Sequence, residues 1–574
     1  MKRWTFPTAA VAAVVFFLST MALPAAAAVV EHTFVVSQMN MTHMCNETLV
    51  TVVNGQLPGP ALEVTEGDSV VVHLVNKSPY NITIHWHGVK QRLSCWADGV
   101  PMITQCPIPP GSNFTYRFAV AGQEGTLWWH AHVGSLRGTL HGAIVVRPRR
   151  PYPFPKPHRD VPIVIGEWWE IDLDELDRKT VAGILGNDPS GSMINGKLGD
   201  LYNCSGVQED GYVLDVEAGK TYMLRVINAA LFSEYYLKIA GHRFTVVGAD
   251  ANYVNPYATD VLAIAPGETV DALLVADAPP GRYYMVALAN QPPPPDTQIP
   301  KSITRGVVQY TADDVPPSAP EMPDEHDMVT SFSFHGNLTG LRRRGQPPVP
   351  ARVDERLFVT VGLGSVCRRG ETCKRSGSNE SIIVATMNNV SFQPPATPLL
   401  AASYYHAGGL DKLLRELPDR PAREFNYTDR ELIPWGPREA ALEPTTKATL
   451  ARRFRHGAAV EVVFQSTAVM QSDSNPMHLH GHDMFVLAHG LGNYDAARDV
   501  AKYNLVNPPM KNTVHVPRMG WAAIRFVADN PGVWYMHCHF DTHLSMGMTA
   551  VFIIDDGPTA DTSLPPPPAD FPTC

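Results

Sequence analysis

The sequence predicts an all-β protein that is divided into three sandwich or barrel domains, and three observations support this prediction. Proline is abundant, with 51 residues in a chain of 574, and Gly/Pro turns separate short runs rich in Val, Ile, Tyr and Phe. The chain is too long for a single core, and its 44% hydrophobic and 18% charged residues are typical of a globular protein. One strand pattern, finally, occurs three times along the chain.

The first block of this repeat consists of a strand-like run, a polar turn and a second strand. It occurs as EGDSVVVHLVNKSPYNITIHWHG at 66–88, as AGKTYMLRVINAALFSEYYLKIAG at 218–241 and as HGAAVEVVFQSTAVMQSDSNPMHLHG at 456–481. A second block follows each copy: PGSNFTYRFAVAGQEGTLWWHAH, PGETVDALLVADAPPGRYYMVA and VPRMGWAAIRFVADNPGVWYMHCH. The repeat predicts β-domains at 29–150, 151–320 and 400–574, with the Pro-rich and charged segment 321–399 as a connection.

Charge, the N-terminal residues and the glycosylation motifs indicate location and partners. The formal net charge of −10 provides no basic stripe, so we expect no nucleic-acid partner. Residues 1–28 have the early basic residues, apolar run and alanine-rich end of a secretory signal peptide, with a retained membrane anchor as the alternative. No other apolar run is long enough to span a bilayer. Ten Asn-x-Ser/Thr sequons add to the expectation of a secreted, extracellular glycoprotein, and a monomer is the default.

Eight cysteines are expected to be mostly paired in an oxidising compartment. Two of them, Cys367 and Cys373, are close enough in sequence to close a short loop on each other. Cys538 lies between two histidines, which favours a metal ligand over a disulfide. The five others form an odd set, so one of them is left unpaired: Cys45, Cys95, Cys106, Cys204 and Cys574.

Histidines occupy the repeat only in its outer copies. The HWHG of the first copy corresponds to KIAG in the second and to HLHG in the third. Likewise, HAH in the first copy loses its histidines in the second and becomes HCH in the third. Because the middle copy keeps the strand frame without histidines, folding does not require them. The pattern therefore indicates a site shared between the first and third domains.

The histidines form four His-x-His pairs, and alternate positions on a strand face the same side. Imidazole suits Cu, Zn, Fe and Ni, and eight imidazoles exceed one four-coordinate site, so the pairs predict a multinuclear cluster. HCHFDTHLSMGM adds Cys538, His543 and Met548, the thiolate, imidazole and thioether of a blue-copper centre, with a disulfide and a core methionine as the alternatives for the two sulfur residues. The paired histidines are His85, His87, His130, His132, His478, His480, His537 and His539.

With these motifs the sequence resembles the multicopper oxidases, and most closely the plant laccases. The resemblance is carried by HWHGVKQ, WADG, TQCPIPPG, WWHAHVGSLRGTLHG, NPMHLHGHDMF and HCHFDTHLSMGM, and it spans nearly the whole chain after the signal segment. It implies three cupredoxin domains and four copper ions. By the same resemblance, Cys106 pairs with Cys574 and Cys45 with Cys204, which leaves Cys95 as the odd thiol.

The resemblance also implies a role for each ligand. His85 and His478 would hold the type 2 copper, while Cys538, His543 and Met548 would hold the type 1 copper. The type 3 pair would be bound by His87, His130 and His539 on one side and by His132, His480 and His537 on the other. His482 is not a ligand in this scheme. Asp98 would assist proton delivery near the cluster, with a turn-forming aspartate as the alternative.

The implied activity is that of a laccase of the cell wall or apoplast. Single electrons from phenols of the lignin-monomer type would enter at the type 1 site, and the direct link of Cys538 to His537 and His539 would lead them inward. There four electrons reduce dioxygen to two waters. Ascorbate oxidase and ferroxidase share the copper frame, whereas a zinc hydrolase explains neither Cys538 nor the repeat.

One position departs from the family pattern. The third motif of the family begins His-Pro-x-His-Leu-His, and Asn475 stands where the second imidazole of the type 1 copper is expected. The upstream run FQSTAVMQSDS contains no replacement histidine. An amide is a poorer copper ligand than imidazole. Three outcomes follow: a working but retuned laccase, an empty type 1 site with three coppers in all, or a non-catalytic glycoprotein that binds copper or phenolics.

Overall fold

The fold is known from a computed structural model that describes residues 27–294, 296–310, 315–343, 345–367, 381–405, 410–424, 426–427, 445–467 and 474–574. Most of the predicted signal peptide therefore lies outside the described residues, as does Cys373 of the expected Cys367–Cys373 bond. None of the helices in these ranges is long and apolar enough to cross a membrane. The predicted all-β fold is confirmed, because short strands packed into sheets dominate each third of the chain.

The first unit is a sandwich of two four-stranded sheets, with strand orders β2-β1-β4-β6 and β3-β8-β7-β5. Alternate residues of β4 are buried, as expected for a strand with one face on the core. The strands are β1 (Val29–His43), β2 (Asn46–Val53), β3 (Leu62–Thr65), β4 (Ser69–Asn76), β5 (Ile84–His87), β6 (Asn113–Ala119), β7 (Gly125–Ala131) and β8 (His141–Arg147).

The second unit repeats this architecture with a six-stranded sheet, β10-β9-β14-β19-β16-β17, and a five-stranded sheet, β13-β21-β20-β15-β18. A short hairpin, β11-β12, lies beside them. The strands are β9 (Arg159–Trp168), β10 (Gly191–Ile194), β11 (Asn203–Cys204), β12 (Val207–Gln208), β13 (Val213–Asp215), β14 (Thr221–Asn228), β15 (Glu234–Ile239), β16 (Phe244–Ala249), β17 (Asn252–Thr259), β18 (Leu262–Ile264), β19 (Thr269–Val275), β20 (Arg282–Asn290) and β21 (Ile303–Gln309).

The described residues of the third unit form one continuous sheet of 13 strands. Its order is β30-β29-β32-β27-β22-β23-β24-β26-β34-β33-β28-β31, with β25 paired to β26. The strands are β22 (Glu355–Cys367), β23 (Ser381–Met387), β24 (Val390–Phe392), β25 (Leu414–Glu416), β26 (Thr446–Phe454), β27 (Ala458–Ser466), β28 (Asn475–Leu479), β29 (Met484–Leu491), β30 (Met510–Lys511), β31 (Thr513–Val516), β32 (Gly520–Ala528), β33 (Gly532–Cys538) and β34 (Thr549–Ile554).

The segment 321–399, which the sequence predicts to be a connection, contains three strands. Strands β22, β23 and β24 lie within 321–399, and β22 pairs with β27 while β24 pairs with β26. Their apolar residues, such as Leu357 and Val359, are buried in the same core as Cys538. The third unit therefore extends toward the N-terminus well beyond residue 400. The Pro-rich stretches on either side of these strands obscured them in the sequence.

Helices are few and short. The longest two are each begun by an aspartate whose carboxylate accepts backbone N–H groups of the first turn. The helices are α1 (Leu173–Val181), α2 (Met328–Asn337), α3 (Leu399–Tyr404), α4 (Leu410–Leu413), α5 (Ala496–Asp499) and α6 (Asp541–Ser545). Helix α6 directly follows β33 and so fixes the position of His543 relative to Cys538.

Two disulfides join distant parts of the chain. Cys45 is bonded to Cys204, with their Cα atoms 5.7 Å apart, and Cys106 is bonded to Cys574 across 468 residues. Both pairs agree with the expectation from the family. Cys95 is a buried free thiol, which agrees with the same expectation.

Candidate metal centre

Four strands bring the paired histidines together at the contact between the first and third units. In the first unit, β5 runs antiparallel to β7, with His85 opposite His130. In the third unit, β28 runs antiparallel to β33, with His478 opposite His537. Because side chains alternate along a strand, each His-x-His pair directs both rings to one side. The two strand pairs therefore face each other with all eight imidazoles between them.

The imidazoles form three overlapping groups, and the candidate ligand atoms within each group lie within 4.8 Å of one another. Every group combines residues of the first and third units. The groups are His85 with His87 and His478, His87 with His130 and His539, and His132 with His480 and His537. The second and third groups contain the same residues as the two implied type 3 sets, and the first contains the two implied type 2 ligands together with His87.

Backbone carbonyls fix the protonation pattern of half of these rings. A carbonyl oxygen only accepts, so a ring Nδ1 beside it carries the proton and the opposite Nε2 keeps its lone pair. The contacts from Nδ1 are His85 to Asp98 O (2.7 Å), His130 to Ala131 O (2.8 Å), His478 to Asn512 O (2.8 Å) and His537 to Cys538 O (2.9 Å).

The resulting lone pairs point at one another. Nε2 of His480 lies 3.1 Å from Nε2 of His537, and Nε2 of His478 lies 3.5 Å from that of His85. The buried Nε2 atom of His132 has no hydrogen-bond partner among the described residues. Converging lone pairs repel unless a cation lies between them. The donor set therefore fits metal ions, and an imidazole set of this kind suits copper.

Burial keeps these rings neutral. Desolvation, and then the neighbouring imidazoles, hold the pKa of His130, His132 and His478 well below the ordinary histidine value. The pKa of His537 is lowered to about 3, mainly by burial. Since a metal binds the neutral ring, the protein holds these ligands in the state that binding requires.

His87 and His539 are oriented by different partners. His87 Nε2 lies 2.9 Å from the Thr513 hydroxyl, so that its Nδ1 faces His130 Nε2 at 3.4 Å. Arg137 donates to His539 twice, from Nη1 to the ring Nδ1 and from Nη2 to the carbonyl, at 2.8 Å each. The arginine is buried, and Asp541 balances its charge at 3.3 Å. No spacing in the sequence singled out Arg137 or Thr513 for these positions.

Asp98 lies against the cluster and is fully buried. One carboxylate oxygen is 2.9 Å from His480 Nδ1 and the other is 3.3 Å from His85 Nδ1. The aspartate therefore contacts one ring from each half of the site, which a residue serving only a turn would not do. The following Gly99 has φ +81°, and a Cβ there would lie 1.8 Å from the Ile84 carbonyl.

A second candidate site lies next to the cluster in the core of the third unit. The Cys538 thiol is 3.4 Å from His543 Nδ1 and 3.9 Å from Asn475 Oδ1, and all three residues are buried. Burial lowers the pKa of His543 to about 4. Met548 is fully buried in the same core, and its carbonyl accepts the Cys538 N–H.

A third histidine, cysteine or carboxylate does not join Cys538 and His543 within the described part of the chain. Residues 468–473 of the upstream run lie outside that part. The site thus presents one thiol, one imidazole, one amide oxygen and a neighbouring methionine.

His482 belongs to none of the three histidine groups. Its Nδ1 is 3.0 Å from the His480 carbonyl, and its ring packs against Phe526 and Trp534. This placement gives the third alternating histidine of HLHGH a packing role beside the cluster.

A cavity opens beside His543. Its wall is mostly apolar, with amide and hydroxyl groups between the apolar side chains. Representative lining residues are Leu176, Ile184, Phe232, Asn290, Phe540 and His543. The arrangement suits a flat, largely apolar molecule with a polar group.

Comparisons with known proteins agree with this geometry. Models of the multicopper oxidase family match residues 35–151, 159–310 and 416–558. The chain is 66% identical to Laccase-15 of Oryza sativa subsp. japonica over 98% of this chain and 99% of that protein. It is 58% identical to Laccase-19 of the same organism over 100% and 99%.

Solved structures share the fold. The laccase from Botrytis aclada matches with a TM-score of 0.70 at 24% identity, covering 95% of this chain and 90% of that one. Fet3p, described as a multicopper oxidase that functions in iron import, matches with a TM-score of 0.70 at 21% identity, covering 92% and 90%.

Proposed function

The chain belongs to the multicopper oxidase family and is a laccase-type oxidase with copper as its cofactor; we propose that it couples the one-electron oxidation of phenols of the lignin-monomer type to the reduction of dioxygen to water. The observation that carries this proposal is the convergence of bare imidazole nitrogens, such as the 3.1 Å approach of His480 Nε2 to His537 Nε2. Bound copper would supply the one-electron chemistry and the reduction of dioxygen.

We assign the cluster ligands by the groups that the fold brings together. His85 and His478 would hold the type 2 ion. The type 3 pair would be held by the other two groups, namely His87, His130 and His539, and His132, His480 and His537. Asp98 would orient His85 and His480 and hold protons for the cluster.

The cavity beside His543 would receive the phenol. Asn290 donates from Nδ2 to the Glu234 carboxylate at 2.9 Å, so its amide orientation is fixed and Oδ1 is available as an acceptor. That oxygen has no hydrogen-bond partner among the described residues, and it would accept from the phenol hydroxyl. The apolar walls would pack against the ring and exclude water from it.

The chain itself connects the two sites. Cys538 is bonded through the backbone to His537 and His539, which belong to different groups of the cluster. An electron taken up at the thiolate therefore has two short covalent routes inward.

Asn475 would make the type 1 site weaker and retuned. Its amide oxygen lies 3.9 Å from the thiol, and an amide is a poorer ligand than imidazole for thiolate-bound copper. Met548 would supply a further, weak thioether ligand. We propose a functioning laccase whose type 1 site binds copper less tightly than a two-histidine site.

We further propose a secreted monomer. Sequon asparagines such as Asn40 and Asn113 are exposed, whereas Asn76 is buried and donates both amide hydrogens to carbonyls. Glycans on the exposed sites and none on Asn76 would support secretion.

Copper content and oxygen uptake test the proposal together. We expect the copper-loaded protein to hold close to four ions, to show the colour of thiolate–copper charge transfer and to consume oxygen with a phenol. Asp260→Asn, a change at an exposed position remote from both sites, serves as the control. A protein with three ions, no such colour and no phenol turnover would contradict the laccase proposal and favour an empty type 1 site or a non-catalytic copper-binding protein.

A further inference from the structure

A second cluster of titratable side chains lies outside the copper sites. It contains Glu234, Glu268, His335, Lys511 and His515, and each of them is at most 5% exposed. These residues come from four separate places in the sequence and form a continuous set of contacts between the second and third units. Neither the family motifs nor the proposed ligands account for them.

One end of this set reaches the phenol cavity. Asn290 lines that cavity and donates to Glu234 Oε2 at 2.9 Å. Glu234 also lines a smaller adjoining cavity together with Ser474 and His515. Phe540 forms part of the wall of both cavities. The Glu234 carboxylate is therefore the first buried acid behind the place where the phenol hydroxyl would lie.

A pair of stacked imidazoles forms the middle of the set. Glu234 Oε2 lies 3.7 Å from His515 Nε2, and the Ser331 hydroxyl contacts both side chains. The rings of His515 and His335 are parallel within 8°, with centroids 4.1 Å apart. On the far side, His335 Nε2 lies 3.0 Å from Glu268 Oε2.

The other end reaches the histidine cluster. Lys511 donates to Glu268 at 2.7 Å and lies 3.6 Å from Asp250. Asp250 accepts the backbone N–H of Thr513 at 3.0 Å. The Thr513 hydroxyl in turn lies 2.9 Å from His87 Nε2. The contacts thus run from the phenol cavity toward the edge of the candidate trinuclear centre, and the link between Asp250 and Thr513 is made by a backbone amide.

The charges in this cluster can stabilise one added proton. Three buried carboxylates, those of Glu234, Glu268 and Asp250, face a single lysine. Two imidazolium rings at stacking distance would repel, so only one of the two rings is an imidazolium at a time. Burial opposes that proton on His335, but the carboxylates of Glu268 and Glu234 raise its pKa above the ordinary value.

The other titratable and charged groups that face the His335–His515 pair do not include a second lysine. Burial, and then His335, lowers the pKa of His515, and burial lowers the pKa of His489 to about 3. The guanidinium of Arg518, which lines the smaller cavity, donates to the Gln291 carbonyl.

We propose that Glu234, the His335–His515 pair and Glu268 form a proton relay from the phenol cavity to the trinuclear centre. The relay rests on the proposed function. Each phenol loses one electron and one proton on becoming a phenoxyl radical. The electron leaves through Cys538, and the proton passes to Glu234 and onward. Four such events supply the four electrons and four protons that convert one dioxygen into two waters, so no other reactant is needed.

Two substitutions interrupt the relay while keeping side-chain shape. His335→Gln can keep a hydrogen bond to Glu268 but has no ionisable proton. Glu268→Gln keeps the size of the side chain but replaces the carboxylate by an amide that does not titrate. His242→Gln is the matched control, because His242 is a buried histidine that pairs with Tyr310 in the second unit, away from both sites.

The readout is proton uptake when the dithionite-reduced, copper-loaded protein is mixed with dioxygen and a pH indicator. This step bypasses phenol oxidation. We expect both relay variants to take up protons about tenfold more slowly than the unmodified protein, since a positioned acid–base group typically contributes at least that much. Copper content should stay unchanged, the effect of D2O should grow, and His242→Gln should behave like the unmodified protein.

Unchanged uptake and an unchanged pH profile of turnover in both relay variants would overturn the proposal. A relay variant that loses copper would likewise contradict it, because the residues would then act on the metal sites. Normal uptake without any phenol turnover by the unmodified protein would instead contradict the proposed function and leave the relay standing.

Discussion

At the scale of single residues, Asn475 is the amide that lies beside the Cys538 thiol. It is fully buried, its amide oxygen lies 3.9 Å from the Cys538 thiol, and its strand also carries His478. The site has otherwise kept its thiol, its imidazole and the neighbouring methionine. Under the proposed function, one amide stands where the family pattern has a second imidazole.

Asn475→His should restore a second imidazole. Because imidazole binds copper better than an amide, we expect type 1 affinity to rise about tenfold or more, with stronger thiolate–copper absorption and faster phenol turnover. Copper titration followed by visible absorption measures the change. If colour, affinity and rate all stay as in the unmodified protein, the role given to position 475 is wrong.

Asp98→Asn tests the acid beside the cluster. The amide would keep the size of the side chain but lose its charge, and with a single acceptor oxygen it could face only one of the two Nδ1 atoms of His85 and His480. We expect phenol turnover to fall about 10- to 100-fold while copper content is retained. Oxygen consumption and metal analysis of the same sample measure both quantities. Full activity of the variant would mean that Asp98 only stabilises the turn in which it lies.

At the residue scale, the paired histidines were predictable from the sequence, whereas the residues that orient them were not. His-x-His spacing together with strand alternation is enough to bring His85 and His87 to one side of β5. Arg137 and Thr513 carry no such signal, because their roles depend on contacts across more than 400 residues of sequence. The relay residues were missed for the same reason.

At the scale of elements, the turn that contains Gly99 holds Asp98 against the strand that carries His85. A Cβ at Gly99 would lie 1.8 Å from the Ile84 carbonyl, and the positive φ adds strain for any other residue. The glycine is therefore needed for the close approach of the turn to β5.

Gly99→Ala should displace this turn. We expect the free energy of unfolding to fall by about 2–4 kcal/mol, from overpacking and backbone strain, with loss of copper. Gly111→Ala is the matched control, because Gly111 has φ +77° but no atom within 4 Å of an added Cβ. Denaturant unfolding compares the two. Equal losses in both variants would show that the contact with Ile84 is unimportant.

The strands of the repeat were predictable from their Val, Ile and Tyr content and from their Gly/Pro turns. Strands β22 to β24 were not, because they belong to no copy of the repeat and lie between Pro-rich and charged stretches. They are recognisable only from their pairing with β27 and β26, a long-range contact that local pattern does not encode.

At the scale of the whole molecule, the C-terminal segment ties the third unit to the first. Cys574 is bonded to Cys106, Trp96 donates to the Pro565 carbonyl at 2.8 Å, and Phe571 packs on Trp96. Because the cluster takes half of its histidines from each of these units, any separation of the two would open it.

Replacing both Cys106 and Cys574 by serine should loosen this connection. Loss of a native disulfide that closes so long a loop typically costs about 2–5 kcal/mol. We expect a lower denaturation midpoint and easier loss of copper, measured by unfolding and by competition with a chelator. An unchanged midpoint would show that the noncovalent contacts of the segment suffice.

The stoichiometry of oxygen consumption tests the central claim most directly, namely that histidines of the first and third units form one cluster for the reduction of dioxygen to water. The copper-loaded protein should consume one dioxygen for every four phenols oxidised, with water as the product. Consumption of more dioxygen per phenol with release of hydrogen peroxide, or no consumption by a protein that retains its copper, would contradict the account.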